Sequence, residues 1–127
     1  MLIDSFQRRI SYIRVSVTDR CDLRCSYCLP KGFKDYREPA HWLRFSEIVR
    51  VTRAFAELGV SRVRLTGGEP LLRRDLSVLA AQLHAVPGVS DLSLSTNATQ
   101  LAKHAQALRA AGITRLNVSL DTLNPQR

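Results

Sequence analysis

The sequence predicts an α/β fold in which four strands and three helices form the N-terminal part of a partial (β/α) TIM-like barrel. Three observations support this prediction: four segments alternate apolar and polar residues, helical patterns lie between them, and every strand has one polar face. We expect residues 1–127 to share one core, because a chain of this length is too short for two domains.

The four predicted strands are short segments with a period of two residues. They cover residues 12–17, 62–66, 91–95 and 115–120. Such alternation is typical of strands that bury one face and leave the other face polar.

Between the strands, apolar residues recur at helical spacing in segments 46–58, 76–86 and 101–111. Ser46 is a suitable N-cap for the first helix, and Gly59 is a suitable stop after its last turn. Helices of this length between strands imply right-handed crossovers and a parallel sheet. An antiparallel sheet with one solvated face stays open as the alternative.

The predicted strands have one aliphatic face, which suits packing under the helices, and one polar face. A polar lumen favours a polar ligand, because the lumen of a barrel without a ligand is filled with aliphatic side chains. The polar face carries Arg14, Ser16, Thr18, Arg62, Arg64, Thr66, Asp91, Ser93, Ser95, Arg115, Asn117, Ser119 and Asp121.

The composition indicates a globular protein with an anionic partner. Hydrophobic residues make up 45% of the chain, and the formal net charge of +8 comes mostly from arginine. The basic residues form no long run and aromatic residues are only 6%, so a small phosphorylated substrate is favoured over nucleic acid. No segment has the length of a membrane span or the layout of a signal peptide, so we expect no membrane and a cytoplasmic location.

The first motif is CxxxCxxC, formed by Cys21, Cys25 and Cys28 on the loop after the first strand. Three cysteines in eight residues favour a metal site over disulfides. Three thiolates leave a cluster iron with an open position, whereas structural zinc takes four ligands. The alternative is a Cys3His zinc site completed by one of the histidines His41, His84 and His104.

The cysteine motif, read as CxxxCxYC directly after a first strand, resembles the radical S-adenosylmethionine (SAM) superfamily. The turn Gly67-Gly68-Glu69-Pro70 after the second strand strengthens the resemblance, since glycines permit close approach of a ligand to the backbone. The resemblance implies a barrel of the radical SAM type, a [4Fe-4S] cluster on the three cysteines and SAM on its fourth iron. It also implies that the turn backbone receives the methionine amino group.

Four segments narrow the resemblance to the GTP 3′,8-cyclase family of molybdenum cofactor biosynthesis: YIRVSVTDRCDLRCSYCLP, RVRLTGGEPLLRRD, STN and LNVSLDTL. The resemblance implies that Cys21, Cys25 and Cys28 bind the cluster. It assigns SAM contacts to Tyr27, Gly68 and Ser119, and GTP contacts to Arg14, Arg64 and Ser95. Four of these residues, Arg14, Arg64, Ser95 and Ser119, also lie on the predicted polar strand face.

Several of these residues have structural alternatives. Arg14 and Arg64 could instead pair with Asp91 or Asp121, and the two serines could bond only nearby backbone. Arg62, Arg115 and Asn117 stay unassigned, and we interpret the pair Arg73-Arg74 as a solvated surface.

The sequence departs from the family pattern in two places. Ser95-Thr96-Asn97-Ala98 stands where the family often has Thr-Thr-Asn-Gly, so loss of the glycine is expected to alter that turn. The chain also stops at Arg127, so we expect the rest of the barrel and the C-terminal second cluster to be absent and this chain alone to be inactive.

Two other functions stay open: another radical SAM enzyme, such as a peptide-modifying maturase, and a zinc-binding module without catalysis. The sequence identifies neither the electron donor nor the oligomeric state, and a homodimer of the full-length protein stays open.

Overall fold

The computed structural model describes residues 2–18 and 43–119. Its main feature is a four-stranded parallel sheet with the order β3-β4-β5-β6, made of Tyr12–Ser16, Arg62–Thr66, Asp91–Thr96 and Arg115–Val118. All four predicted strands are confirmed: β4 has the predicted bounds, and the C-terminal ends of the other three shift by one or two residues. The antiparallel alternative was wrong, because all four strands pair in parallel and a helix lies before each of β4, β5 and β6.

A short hairpin precedes this sheet and was not predicted. Its strands, β1 (Leu2–Ile3) and β2 (Arg9–Ile10), pair antiparallel. Strands of two residues are too short to show a period, so their pairing depends on the turn. The Asp4 carboxylate accepts hydrogen bonds of 2.9 Å from the backbone N–H groups of Phe6 and Arg8 and closes that turn.

Three helices connect the strands, as predicted: α1 (Phe45–Glu57), α2 (Leu76–His84) and α3 (Leu101–Ala110). The assignment of Ser46 as the N-cap of α1 was wrong, because Arg44 occupies that position. The Arg44 N–H has no partner within the helix and donates to Glu47 Oε1 at 2.8 Å. A glutamate in the first turn therefore caps the start of α1.

The helices pack on the aliphatic face of the sheet. The strand register aligns Val15, Leu65, Leu94 and Leu116 in one lateral row, and α2 covers its centre. The side chains of Leu65, Leu79, Leu83 and Leu94 are fully buried there. One core therefore lies between the helices and the sheet, which leaves the opposite, polar face of the sheet uncovered by these helices.

No helix within the described ranges combines the length and the apolar character needed to cross a membrane.

Candidate functional site

The candidate site lies at the carboxyl ends of the parallel strands, the edge at which open α/β sheets and barrels bind ligands. Thr18, Gly67, Asn97 and Ser119 each follow a different strand and meet at this edge. Two backbone hydrogen bonds join neighbouring strand ends: Gly68 N–H donates to the Thr18 carbonyl at 2.8 Å, and Ser119 N–H donates to the Thr96 carbonyl at 3.0 Å. Cys21, Cys25, Tyr27 and Cys28 follow Thr18 in sequence and lie outside the described residues.

Gly67 brings the turn after β4 against the end of β3. Its φ is +154°, and a Cβ at this position would lie 2.4 Å from the Thr18 carbonyl oxygen. A side chain is therefore excluded by the chain's own backbone. The sequence interpretation assigned both glycines to ligand approach, whereas Gly67 serves the packing of two strand ends.

Gly68 is exposed, and its N–H donates to the Thr18 carbonyl. Among the described residues, no backbone N–H donates to the carbonyls of Gly67 and Gly68. An ammonium group carries only donors and needs acceptors of this kind. The chemistry of the turn thus fits the methionine amino group of SAM, which is the group that the sequence resemblance assigns to it.

Glu69 points inward from the same turn and is only 1% exposed. The Thr96 hydroxyl lies 2.6 Å from Oε1 and 2.7 Å from Oε2, and the Asn97 backbone N–H donates to Oε2 at 2.9 Å. We call Glu69, Thr96, Asn97 and Ala98 the Glu69 cluster. It joins the turn after β4 to the turn after β5.

Sequence reasoning assigned no role to Glu69 or Thr96. One signal in the sequence could have identified Glu69: a carboxylate stands next to a proline in the turn that follows a buried strand. A carboxylate that is buried needs hydrogen-bond donors. The donors come from a segment 27 and 28 residues away, so the sequence pattern did not identify them.

The turn after β5 keeps the conformation that a glycine would favour. Ala98 has a φ of +68°, in the left-handed region, and its N–H donates to Thr96 Oγ1 at 3.0 Å. The Thr99 N–H and hydroxyl donate to Asn97 Oδ1 at 3.0 and 2.8 Å. Side-chain hydrogen bonds of Thr96 and Asn97 therefore hold the turn although alanine replaces glycine, and the replacement adds strain at Ala98.

Arg14 and Arg64 lie directly opposite each other on the polar face, in the row Arg14, Arg64, Ser93 and Arg115. Arg64 Nε–H donates to Ser93 Oγ at 3.2 Å, and its guanidinium carbon lies 5.6 Å from the ring centroid of Tyr12. Arg14 is exposed, and its side chain makes no hydrogen bond or ion pair with any described residue. Tyr12 shares this face and was missed, because the sequence pattern placed it at the start of the strand without a role.

Asp91 pairs with the two arginines that sequence reasoning left unassigned. Its Oδ2 lies 3.4 Å from Arg62 Nε and 3.5 Å from Arg115 Nη1. The alternative in which Asp91 neutralises Arg14 or Arg64 was therefore wrong, while Asp121 lies outside the described residues. Arg14 and Arg64 lie on the polar face of the sheet, and no carboxylate from residues 2–18 or 43–119 neutralises their positive charge.

Ser95 and Ser119 lie near the top of the polar face. Ser95 is half-buried and aligned with Asn117 of β6, and Ser119 is exposed at the strand end. Neither hydroxyl bonds to a described residue, so the alternative that they serve only nearby backbone has no support in this part of the chain.

Arg73 is buried, and its interpretation as part of a solvated pair was wrong. Its guanidinium donates to the Val17 carbonyl at 2.9 Å and to the Leu43 carbonyl, and lies 4.9 Å from the ring centroid of Phe45. These carbonyls come from two segments distant in sequence, so a pair of adjacent arginines cannot reveal them. Arg74 is exposed, as expected.

Within residues 2–18 and 43–119, no three metal-binding side chains converge closely enough to hold an ion. The cysteines and His41 of the predicted metal sites are outside these ranges, whereas His84 is exposed on α2 and His104 is half-buried on α3.

Comparison with known proteins gives two findings. The sequence pattern of the Radical SAM superfamily matches residues 15–127. The chain is also 46% identical over 127 residues to a GTP 3′,8-cyclase of Hydrogenovibrio crunogenus, with 99% of this chain and 38% of the relative covered. It is 51% identical over 125 residues to a GTP 3′,8-cyclase of Erythrobacter litoralis, with 97% and 37% covered. The chain thus spans about two fifths of the length of these curated relatives.

Proposed function

Because the chain belongs to the radical SAM superfamily, we propose that it is the N-terminal part of a GTP 3′,8-cyclase. This radical SAM lyase converts GTP to (8S)-3′,8-cyclo-7,8-dihydroguanosine 5′-triphosphate, the first step of molybdenum cofactor biosynthesis. The observation that carries the proposal is the pairing of Arg14 directly opposite Arg64 on the polar face. Neighbouring strands lie about 5 Å apart, and like charges on residues directly opposite each other are unfavourable, which favours an anion that both arginines bind.

Residues 1–127 are the first portion of the radical SAM core domain in this proposal, and the remaining barrel and the second cluster belong to the longer protein. Cys21, Cys25 and Cys28 hold the [4Fe-4S] cluster, since three thiolates leave one iron open. When bound, the cluster and SAM supply the radical that removes hydrogen from the substrate. Thiolate ligands also favour a reducing compartment, which supports a cytoplasmic location.

SAM is bound in this proposal by Tyr27, Gly68 and Ser119. The Gly68 turn presents carbonyl acceptors to the amino group, and its position is fixed by the hydrogen bond to Thr18. Ser119 offers a hydroxyl at the same edge, two strands away. These contacts orient SAM at the strand ends, above the polar face.

GTP is bound by Arg14, Arg64 and Ser95. A guanidinium donates parallel hydrogen bonds to phosphate oxygens, so the two arginines suit a triphosphate. Arg64 is held in place by Ser93 and Tyr12, whereas Arg14 has no competing carboxylate among the described residues. The arginines thus position the anionic substrate, and no protein base is needed.

The test is Arg64→Ala in the full-length protein, with Arg62→Ala as the matched control. Both residues lie on β4 and face the same side, but Arg62 is paired with Asp91 near the start of the strand. Loss of a buried charge-assisted contact should weaken GTP binding by about tenfold to a thousandfold. The control should bind GTP nearly as the wild type does, and SAM binding should change little in both variants.

Normal GTP binding by Arg64→Ala together with a loss of SAM binding would show that Arg64 contacts SAM and does not contact GTP. Failure of the wild type to bind GTP would favour another radical SAM enzyme, such as a peptide-modifying maturase.

The cluster assignment is tested by Cys25→Ala after anaerobic reconstitution. Two remaining thiolates are too few to hold the cluster with an open iron, so 5′-deoxyadenosine formation from SAM should stop. Iron and zinc analysis of the wild type checks the alternative, because a zinc-binding module would contain zinc and lack the cluster's visible absorption.

A further inference from the structure

The Glu69 cluster lies between the two turns to which the proposed function assigns its ligands. On one side is the turn of Gly67 and Gly68, proposed to bind SAM, and on the other is the end of β5 with Ser95, proposed to bind GTP. We propose that Glu69 is a positioning residue: its carboxylate, held by Thr96, fixes the SAM turn relative to the GTP strand. This inference rests on the proposed function for the identity of the two ligands.

The hydrogen bonds form a directed chain. The Ala98 N–H donates to Thr96 Oγ1 at 3.0 Å, and the Thr96 hydroxyl donates its single proton to the Glu69 carboxylate. The Asn97 N–H donates to the same carboxylate at 2.9 Å. The Thr96 hydroxyl lies within hydrogen-bond distance of both carboxylate oxygens and the Asn97 N–H donates to one of them, so more than one hydrogen bond joins the two turns.

The cluster is also tied to the outer strands. Gly68 N–H donates to Thr18 at the end of β3, and Ser119 N–H donates to the Thr96 carbonyl at the end of β5. A displacement of Glu69 would therefore be transmitted to the backbone of all four strand ends. Glu69 itself is 1% exposed, so it orients the groups that contact ligands and does not contact them.

Burial of a carboxylate is an inefficient way to stabilise a core. Apolar residues of similar size often give equal or greater stability, whereas hydrogen bonds specify direction and distance. A positional role explains why a charged side chain occupies this site between two turns. Its loss should change the relative placement of the two ligands more than it changes overall folding.

The test compares Thr96→Val with Thr96→Ser in the full-length protein. Valine removes the hydroxyl that links Ala98 to Glu69, and serine keeps it. Thr52→Val is the matched control, because Thr52 is equally buried in α1 and its hydroxyl has no hydrogen-bond partner among the residues that the structure describes. Thr52→Val should behave as the wild type, and Glu69→Gln provides a second variant that keeps the size of the side chain.

Three quantities are measured: amide hydrogen exchange at Asn97 and Ala98, equilibrium binding of SAM and of GTP, and the ratio of 5′-deoxyadenosine to cyclised product. Thr96→Val should accelerate amide exchange at Asn97 and Ala98 by about threefold to tenfold, because the Ala98 N–H loses its hydroxyl acceptor and the carboxylate that accepts from Asn97 loses its hydroxyl donor. Its ratio of 5′-deoxyadenosine to product should rise severalfold, because SAM is cleaved while GTP is misplaced. Glu69→Gln should raise this ratio as well, and Thr96→Ser should restore wild-type values.

A purely structural role would lower both products together and leave their ratio unchanged, and that result in Thr96→Val would overturn the proposal. An equal effect of Thr52→Val would also overturn it. A wild type that cleaves SAM without cyclising GTP would contradict the proposed function alone. Amide exchange and SAM binding would then still test the positioning role of Glu69. Wild-type exchange rates and wild-type SAM affinity in Thr96→Val would contradict that role.

Discussion

Strands β5 and β6 are neighbours in the sheet and have the same alternating pattern, yet they differ in burial. Leu94 of β5 is 0% exposed, whereas Leu116, its register partner in β6, is 44% exposed. Val118 is 54% exposed, and every residue of β6 is classed as exposed. The comparison shows that alternation predicts which side chains share a face, while neighbouring elements decide how deeply they are buried.

The cause of the difference is the cover that each strand receives. β5 lies between β4 and β6 and beneath α2, so its aliphatic side chains are enclosed on all sides. β6 has only β5 beside it within the described residues. An apolar groove of about 410 Å³ runs between α3 and β6, lined by residues that include Leu101, Leu108, Ile113 and Leu116.

Leu94→Ala and Leu116→Ala test this comparison most directly. Leu94→Ala should reduce the free energy of unfolding by about 3 to 5 kcal/mol, because it leaves a cavity in the core. Leu116→Ala should cost less than about 1 kcal/mol in this chain, since much of that side chain is already in water. Urea denaturation measures both values, and equal losses would contradict the difference in burial.

Arg73→Ala extends the comparison to a buried polar side chain, because Arg73 binds backbone carbonyls in the well-packed part of the fold. Removing its guanidinium leaves the buried carbonyl of Val17 and the carbonyl of Leu43 without this donor, at a cost of about 2 to 4 kcal/mol. The adjacent Arg74→Ala is the control and should change stability by less than about 0.5 kcal/mol, because Arg74 is exposed. Thermal unfolding of the two variants compares them, and similar melting temperatures would show that Arg73 contributes no more than a surface residue.

Ala98→Gly has a smaller expected effect and the opposite sign. Glycine removes the strain of a left-handed alanine, about 1 kcal/mol, but gives back part of it through the entropy of the unfolded chain. The net gain should be about 0.5 kcal/mol. Ala107→Gly, at an exposed position within α3, should instead lose about 0.5 to 1 kcal/mol. A loss of stability in both variants would indicate that Ala98 is not strained.

The smallest effect is expected in the hairpin, where Asp4→Asn should change how stability depends on pH. The Arg8 backbone N–H, together with the Arg8 guanidinium and the Phe6 N–H, holds the pKa of the Asp4 carboxyl below its ordinary value. A lowered pKa contributes stability above the ordinary pKa of about 4, and this contribution is lost as the pH falls toward the lowered value.

The melting temperature of the wild type should therefore fall slightly more steeply below about pH 4 than that of Asp4→Asn. Parallel curves for the two proteins between pH 6 and pH 3 would show that the turn contributes nothing to the pH dependence.

Local sequence patterns were enough to predict the four strands, the three helices and the two faces of the sheet. Periods of two and of about 3.6 residues arise from local backbone geometry, so they can be read from consecutive residues. The placement of Arg14 and Arg64 on one face follows from the same period. Their position directly opposite each other depends on the register between β3 and β4, which packing of the aliphatic rows fixes.

Which charged residues are buried, and which groups they bind, depends on contacts between segments that are distant in sequence. Glu69 and Arg73 follow the same strand within five residues of each other, and both are enclosed by donors or acceptors from distant segments. A charge can be buried only where such partners are supplied, and these partners are brought together by strand order and register. For the same reason Asp91 pairs with Arg62 and Arg115, and among the described residues no carboxylate pairs with Arg14 or Arg64.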